Sequence, residues 1–143
     1  MYPEELVAPM RQELANAGFN EAKTPDQVTK AIKETKGTTL VVVNSVCGCA
    51  AGSARPGVVH SLQSQIKPDH LVTVFAGVDT DATAKAREYL LPYPPSSPAI
   101  ALFKDGELIH MIERHHIERR PAEIISQHLQ QVYQEYCGEK VNS

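Results

Sequence analysis

The chain has 143 residues, of which 42% are hydrophobic and 22% charged, and its net charge is −3. This length fits one domain over 1–143, with a helical extension at 1–20 and a frayed tail at 139–143. The acidic balance argues against a nucleic-acid binder, which normally carries a basic excess. Apolar stretches are far shorter than a membrane span, and the acidic start lacks the features of a signal peptide. We therefore expect a cytoplasmic protein that binds neither nucleic acid nor membrane.

The first third of the sequence predicts two helices and a buried strand. Apolar residues recur at helical spacing over 4–17. The Thr-Pro-Asp-Gln pattern at 24–27 is a capping box that starts a second helix, which ends before Gly37. The β-branched run 38–43 is typical of a strand buried on both faces. It leads directly into Cys47-Gly48-Cys49.

The rest of the sequence alternates helices and strands and ends with a hairpin. The predicted elements are a helix over 50–66 made irregular by Pro56 and Gly57, a strand over 71–76, a helix over 81–90, a proline-rich loop over 92–98, strands over 99–104 and 107–112 around Asp105-Gly106, and a helix from Pro121 to Tyr136. This order predicts the α/β class. We expect a mixed sheet with a parallel centre and a terminal β-hairpin, covered by helices on both faces.

The pair Cys47 and Cys49 is the strongest functional feature of the sequence. It lies between the end of a buried strand and the start of a helix, where unpaired N–H groups favour a thiolate over a thiol. A thiolate attacks disulfides, and a second thiol nearby can attack the resulting mixed disulfide. Arg55, further along the same helix, is a candidate source of positive potential. We therefore predict thiol–disulfide chemistry.

Two other interpretations of the cysteines stay open from the residues alone. Two small buried thiols could be core residues, although the neighbouring glycines, alanines and serine are too small and polar for that. The pair could also hold a metal or a cluster together with Cys137, in a binding module without catalysis. Cys137 is otherwise either a third redox thiol or a bystander. His115 and His116 beside Arg114 could form a binding patch, but a solvated turn is the favoured interpretation.

Pro98 is the second informative residue. It starts an apolar strand after an irregular loop, so the Ser97–Pro98 bond is equally compatible with a cis bond beside the cysteines and with a trans proline that begins a strand.

The stretch 97–107 resembles the segment of thioredoxins that holds their cis-proline, strand and hairpin turn. The whole chain is similar to the bacilliredoxins, a thioredoxin-like family with a Cys-Gly-Cys motif. The most specific match is Asn-Ser-Val-Cys-Gly-Cys-Ala-Ala-Gly at 44–52, followed by Ala-Arg-Pro-Gly at 54–57. Tyr-Pro-Glu at 2–4 and Tyr-Pro-Pro-Ser-Ser-Pro at 93–98 match as well.

The resemblance implies a thioredoxin-like fold and a role for each site residue. Cys47 would be the nucleophile, Cys49 the resolving thiol, and Ser97 with the cis-proline Pro98 the substrate-binding segment. The implied activity removes bacillithiol from cysteines of S-thiolated client proteins. That small thiol would be a co-substrate, and no bound cofactor or metal is expected. Disulfide isomerisation is the alternative activity, since a Cys-x-Cys disulfide should be strained and easily reduced.

Overall fold

The computed structural model of the protein describes residues 2–138, so the frayed tail expected at 139–143 lies outside the described residues. The elements in chain order are helix α1 (Glu4–Ala15), strand β1 (Asn20–Glu21), helix α2 (Pro25–Ile32), strand β2 (Thr38–Asn44), helix α3 (Arg55–Ser61), strand β3 (His70–Phe75), helix α4 (Thr80–Tyr89), strands β4 (Ala99–Lys104) and β5 (Glu107–Ile112), and helices α5 (Arg114–Ile117) and α6 (Ala122–Tyr136). A π-helical turn, Ala50–Ala54, precedes α3.

The strands form one mixed sheet in the order β1-β3-β2-β4-β5. Strands β1 and β2 both run parallel to β3, whereas β4 runs antiparallel to β2 and to β5. The central strand β2 therefore has one parallel and one antiparallel neighbour. The predicted terminal hairpin is confirmed. Its turn residues Asp105 and Gly106 have φ values of 50° and 83°, which are the positive angles that this type of two-residue turn requires.

Strand β2 is buried throughout because helices cover both faces of the sheet. Its successive side chains point to opposite faces. Leu40 and Val42 belong to a core cluster with residues of α1, α3 and α6. Val41 and Val43 belong to a second cluster with residues of α2 and α4. The predicted helices on both faces are thus confirmed.

The largest difference from the sequence prediction lies just after the cysteines. The helix expected over 50–66 begins instead with the π-helical turn, in which the Arg55 N–H donates to the Ala50 carbonyl, and its α-helical part ends at Ser61. Pro56 has no N–H to donate, so a regular α-helical ladder cannot run through this segment. Gly57 lets α3 approach α6 closely, because a Cβ atom there would lie 2.7 Å from Ile125 Cβ.

Three smaller differences concern short segments. Helix α2 ends at Ile32, four residues before the expected end. Strand β1 and helix α5 were not predicted, because elements of two and four residues are too short to show a hydrophobic period. Across residues 2–138, no helix combines the length and the apolar character that a membrane span requires.

Candidate functional site

The Cys-Gly-Cys segment begins three residues after the end of β2. The Ala50 and Ala51 N–H groups donate to the Cys47 carbonyl, so the chain becomes helical directly after Cys47. Cys47 and Cys49 are both half-buried thiols, and Gly48 between them is exposed. Their sulfur atoms lie 2.8 Å apart. The structure therefore brings together the two thiols that the sequence singled out.

The surroundings of Cys47 favour its thiolate. Burial alone raises the pKa of Cys47, because the charged form loses contact with water. Hydrogen bonds from the Cys49 thiol and the Ser45 hydroxyl act in the opposite direction, and the backbone N–H groups of Ala50 and Cys49 add to them. The net effect lowers the pKa of Cys47 below its ordinary value. This supports the predicted activation by the N-terminal end of the helical segment.

Cys49 behaves in the opposite way. Burial raises its pKa, and so do the hydrogen bond to Cys47 and the negative charge of the Cys47 thiolate. Cys49 also packs against the core cluster between the sheet, α3 and α6. The pKa values of the two thiols are thus shifted in opposite directions, so Cys47 is the thiol of the pair that loses its proton more readily.

Arg55 holds the loop before Cys47 rather than the sulfur itself. Its side chain is 3% exposed, and Nη1 donates to Asn44 Oδ1 at 2.9 Å and to the Ser45 carbonyl at 2.7 Å. Its Nε donates to a carboxylate oxygen of Glu13 in α1 at 2.8 Å. The described contacts thus turn the guanidinium toward the backbone and α1. These contacts support a role of Arg55 in loop geometry, and its role as positive potential at the sulfur stays a prediction.

Ser97 and Pro98 lie at the same sheet edge as the cysteines. Val43 of β2 pairs with Ala99 of β4, so the residues that follow β2 face those that precede β4. The Ser97–Pro98 bond is cis, as the resemblance implied, and Pro98 is buried while Ser97 is half-buried. The substrate-binding role of this segment stays a prediction.

Arg114 is a site residue that the sequence analysis did not single out. It begins α5, and its Nη1 donates to the Ser97 carbonyl at 3.2 Å. Its positive charge lies close enough to the two sulfurs to act on the pKa of Cys49. The sequence placed Arg114 beside His115 and His116, in a segment for which a solvated turn was favoured over a binding patch. Contact across the sheet edge is set by tertiary structure, and no local pattern predicts it.

The geometry argues against the three-thiol metal site. Cys137 is buried beside Thr38 and Lys104, at the beginning of β2, whereas Cys47 follows the end of that strand. A strand of this length separates the two thiols by roughly 20 Å. Within residues 2–138, the one group of three candidate ligand side chains that lie together is Glu113, His115 and His116, and it contains neither cysteine of the pair.

The sequence matches the family model described as disulphide isomerase over residues 2–137. A bacilliredoxin of Cytophaga hutchinsonii is 64% identical over 135 residues, which cover 94% of this chain and 99% of the relative. A bacilliredoxin of Halalkalibacterium halodurans is 54% identical over 136 residues, with coverage of 95% and 94%.

Among solved structures, a thioredoxin variant from Halobacterium salinarum superimposes with a TM-score of 0.58 at 18% identity, covering 85% of this chain and 92% of that one. Mitochondrial thioredoxin 3 from Saccharomyces cerevisiae gives a TM-score of 0.53 at 18% identity, with coverage of 82% and 94%. At such identities the likeness shows the fold alone, and the fold is that of thioredoxin. Together with the nearly full-length family match, this shows that the chain belongs to the bacilliredoxin family and is a thiol–disulfide oxidoreductase.

Proposed function

We propose that the protein removes bacillithiol from S-bacillithiolated cysteines of client proteins, with Cys47 as nucleophile and Cys49 as resolving thiol. The observation that carries this proposal is that the Cys47 and Cys49 sulfur atoms lie 2.8 Å apart and that the pKa values of the two thiols are shifted in opposite directions. The names of the relatives support bacillithiol as the small thiol.

The reaction consists of two thiol–disulfide exchanges. The Cys47 thiolate attacks the bacillithiol sulfur of the mixed disulfide, and the client cysteine leaves as a thiolate that takes a proton from solvent. Cys49 then loses its proton and attacks the Cys47 sulfur, which releases bacillithiol and leaves a Cys47–Cys49 disulfide. The two electrons given to the client's mixed disulfide come from this pair, so an external thiol reductant must return two electrons to it before the next cycle.

The remaining assignments are part of the same proposal. The Ser97–Pro98 segment binds the client next to Cys47, which is supported by its position across the sheet edge from the end of β2. Bacillithiol enters as a co-substrate, and no bound cofactor or metal is needed for the exchange. The reaction takes place in the cytoplasm, where thiols are kept reduced.

The test uses a client peptide whose single cysteine carries bacillithiol, followed by intact-mass spectrometry. The Cys49→Ser variant should accumulate a bacillithiol adduct on Cys47, whereas Cys47→Ser should remain unmodified. The wild type should free the peptide and become two hydrogen atoms lighter. Cys137→Ala is the matched control and should behave like the wild type. An adduct on Cys49 of the Cys47→Ser variant would reverse the roles. Equal rates with a glutathione adduct of the same peptide would refute the bacillithiol specificity.

Protein disulfide isomerisation is the second candidate, because the matching family model is described by that activity. An isomerase needs only a nucleophile that attacks and is later expelled, so Cys49→Ser should keep most of the activity on a client with scrambled disulfides. De-bacillithiolation with turnover should instead require both cysteines. Comparing this variant on the two substrates separates the two functions.

A further inference from the structure

Arg114 is an exposed cation held next to the reactive pair. Its backbone N–H donates to Ser96 Oγ at 3.3 Å, and its Nη1 donates to the Ser97 carbonyl at 3.2 Å. Two contacts to one loop fix both the start of α5 and the direction of the guanidinium group. Because that loop faces the residues that follow β2, the guanidinium lies at the sheet edge that carries the cysteines.

The charge of Arg114 acts on the thiols. The Cys49 and Cys47 sulfurs, when charged, are the main reason that the pKa of Arg114 is raised above its ordinary value. The two thiols and Arg114 are therefore electrostatic neighbours across the edge of the sheet, and a group bound to Cys47 through a disulfide enters the same region.

The Arg114 guanidinium also has N–H groups that its described hydrogen bonds do not use. Its described hydrogen bonds, to Ser97 and to a carboxylate oxygen of Glu118 at 3.3 Å, use two of its five N–H groups. The side chain is 44% exposed, so the remaining donors are open to a ligand. A planar guanidinium is suited to a carboxylate, which it can bind through two parallel hydrogen bonds. Glu118 is the neighbouring charge that competes with such a ligand.

We propose that Arg114 is a specificity-determining residue that binds a carboxylate on the small thiol while that thiol is transferred to Cys47. This inference rests on the proposed function and specifies that the preferred small thiol carries a negative charge. The chemistry is the exchange already written. The bond between the client and small-thiol sulfurs breaks, the bond from the small-thiol sulfur to Cys47 forms, and the client thiolate leaves. Arg114 forms and breaks no covalent bond.

The test compares two probes that differ in charge. One client peptide carries 3-mercaptopropionate on its cysteine through a disulfide, and an otherwise identical peptide carries cysteamine. Adduct formation on Cys47 is timed by mass spectrometry in the Cys49→Ser background, where the first exchange is isolated. The readout is the ratio of the anionic-probe rate to the cationic-probe rate.

The ratio should favour the anionic probe and fall by about threefold or more in Arg114→Gln, the size expected for an exposed ion pair. Arg114→Lys should restore part of it, and Glu118→Gln should raise it. Arg119→Gln removes an equal charge from the neighbouring loop and is the matched control.

Three results would overturn the assignment of Arg114. If Arg114→Gln slows both probes equally, the residue acts only through the thiol pKa or the loop structure. If Arg119→Gln lowers the ratio as much, general charge rather than Arg114 selects the probe. If neither probe transfers to Cys47 in the parent variant while the bacillithiol-carrying peptide does, a carboxylate is not the group that the site recognises, and the assignment of Arg114 fails alone. If the bacillithiol-carrying peptide does not react either, the proposed function fails.

Discussion

Replacing Arg55 by methionine tests whether the loop before Cys47 depends on the buried guanidinium. Methionine has a similar unbranched shape but no donors, so the change removes three hydrogen bonds while it keeps most of the packing volume. We expect the variant to be less stable and its Cys47 to be less reactive than in the wild type.

The size of the effect follows from what each partner of Arg55 loses. The Ser45 carbonyl loses a donor in a buried environment, which costs about 1–3 kcal/mol. Asn44 Oδ1 keeps the Ser45 N–H at 2.9 Å, and Glu13, whose side chain is 38% exposed, returns to water. These two losses are therefore smaller, about 1 kcal/mol together. The free energy of unfolding should fall by about 2–4 kcal/mol, which leaves most domains of this size folded.

Urea unfolding followed by circular dichroism measures the change, since the chain has no tryptophan to report on it. The reactivity of Cys47 is measured by its alkylation rate at neutral pH. It should fall, because the position of Ser45, which helps to lower the pKa of Cys47, is no longer fixed. Glu13→Gln is the control. It keeps an acceptor for Arg55 Nε and should cost about 1 kcal/mol or less.

An opposite result has a clear meaning. Burying a guanidinium is itself costly, and replacing a buried ion pair by apolar groups is neutral or stabilising in some proteins. If Arg55→Met unfolds at the wild-type urea concentration with unchanged alkylation of Cys47, relief of that cost fully offsets the lost hydrogen bonds. The network would then have no role in shaping the site.

Three further predictions concern the same segment. Gly57→Ala should lower the free energy of unfolding by roughly 1–3 kcal/mol, because the new methyl group would clash with α6. Gly52→Ala is the control and should not lower it, because a Cβ atom there has open space. Equal urea midpoints for the two variants would contradict the packing argument. The pH midpoint of Cys47 alkylation should be higher in Cys49→Ala than in Cys49→Ser, because only serine keeps a hydrogen-bond donor to the thiolate; identical midpoints would remove that explanation of the lowered pKa. Under reducing conditions the free energy of unfolding of the wild type should rise relative to that of Cys47→Ser between the lowered pKa of Cys47 in the folded protein and about pH 8.5. In this range the Cys47 thiol still binds its proton in the unfolded chain but not in the folded one, so a higher pH favours folding. A difference between the two proteins that does not vary with pH would count against the lowered pKa.

Regular patterns in the sequence predicted the framework of this fold. The β-branched run of β2 and the Asp-Gly turn each have a strong local preference, for a strand and for a hairpin turn, and the tertiary structure keeps both. The thioredoxin-like arrangement itself required the family resemblance, because the order of helices and strands alone does not fix which strands pair. The π-helical turn was missed because its only local sign, Pro56, predicts irregularity without specifying its form.

The candidate site was predictable where it is local in sequence and not where it is tertiary. Cys47 and Cys49 are two residues apart, so the chain itself brings their sulfurs together. The approach of Arg114 to Ser97, and of Arg55 to Glu13, joins segments far apart in the chain. The residues around an arginine in the sequence do not predict which distant carbonyl or carboxylate its side chain will contact.

Because Cys137 is buried, the rate at which a thiol reagent modifies it measures how often the core around it opens. Cys137 as a residue is 4% exposed, and it lies at the opposite end of β2 from the reactive pair. A thiol reagent in native buffer should therefore modify Cys47 first, and should modify Cys137 slowly, when the residues around it open. The slow phase of labelling then reports how often the core opens, in the same sample and with the same reagent that counts the active thiols.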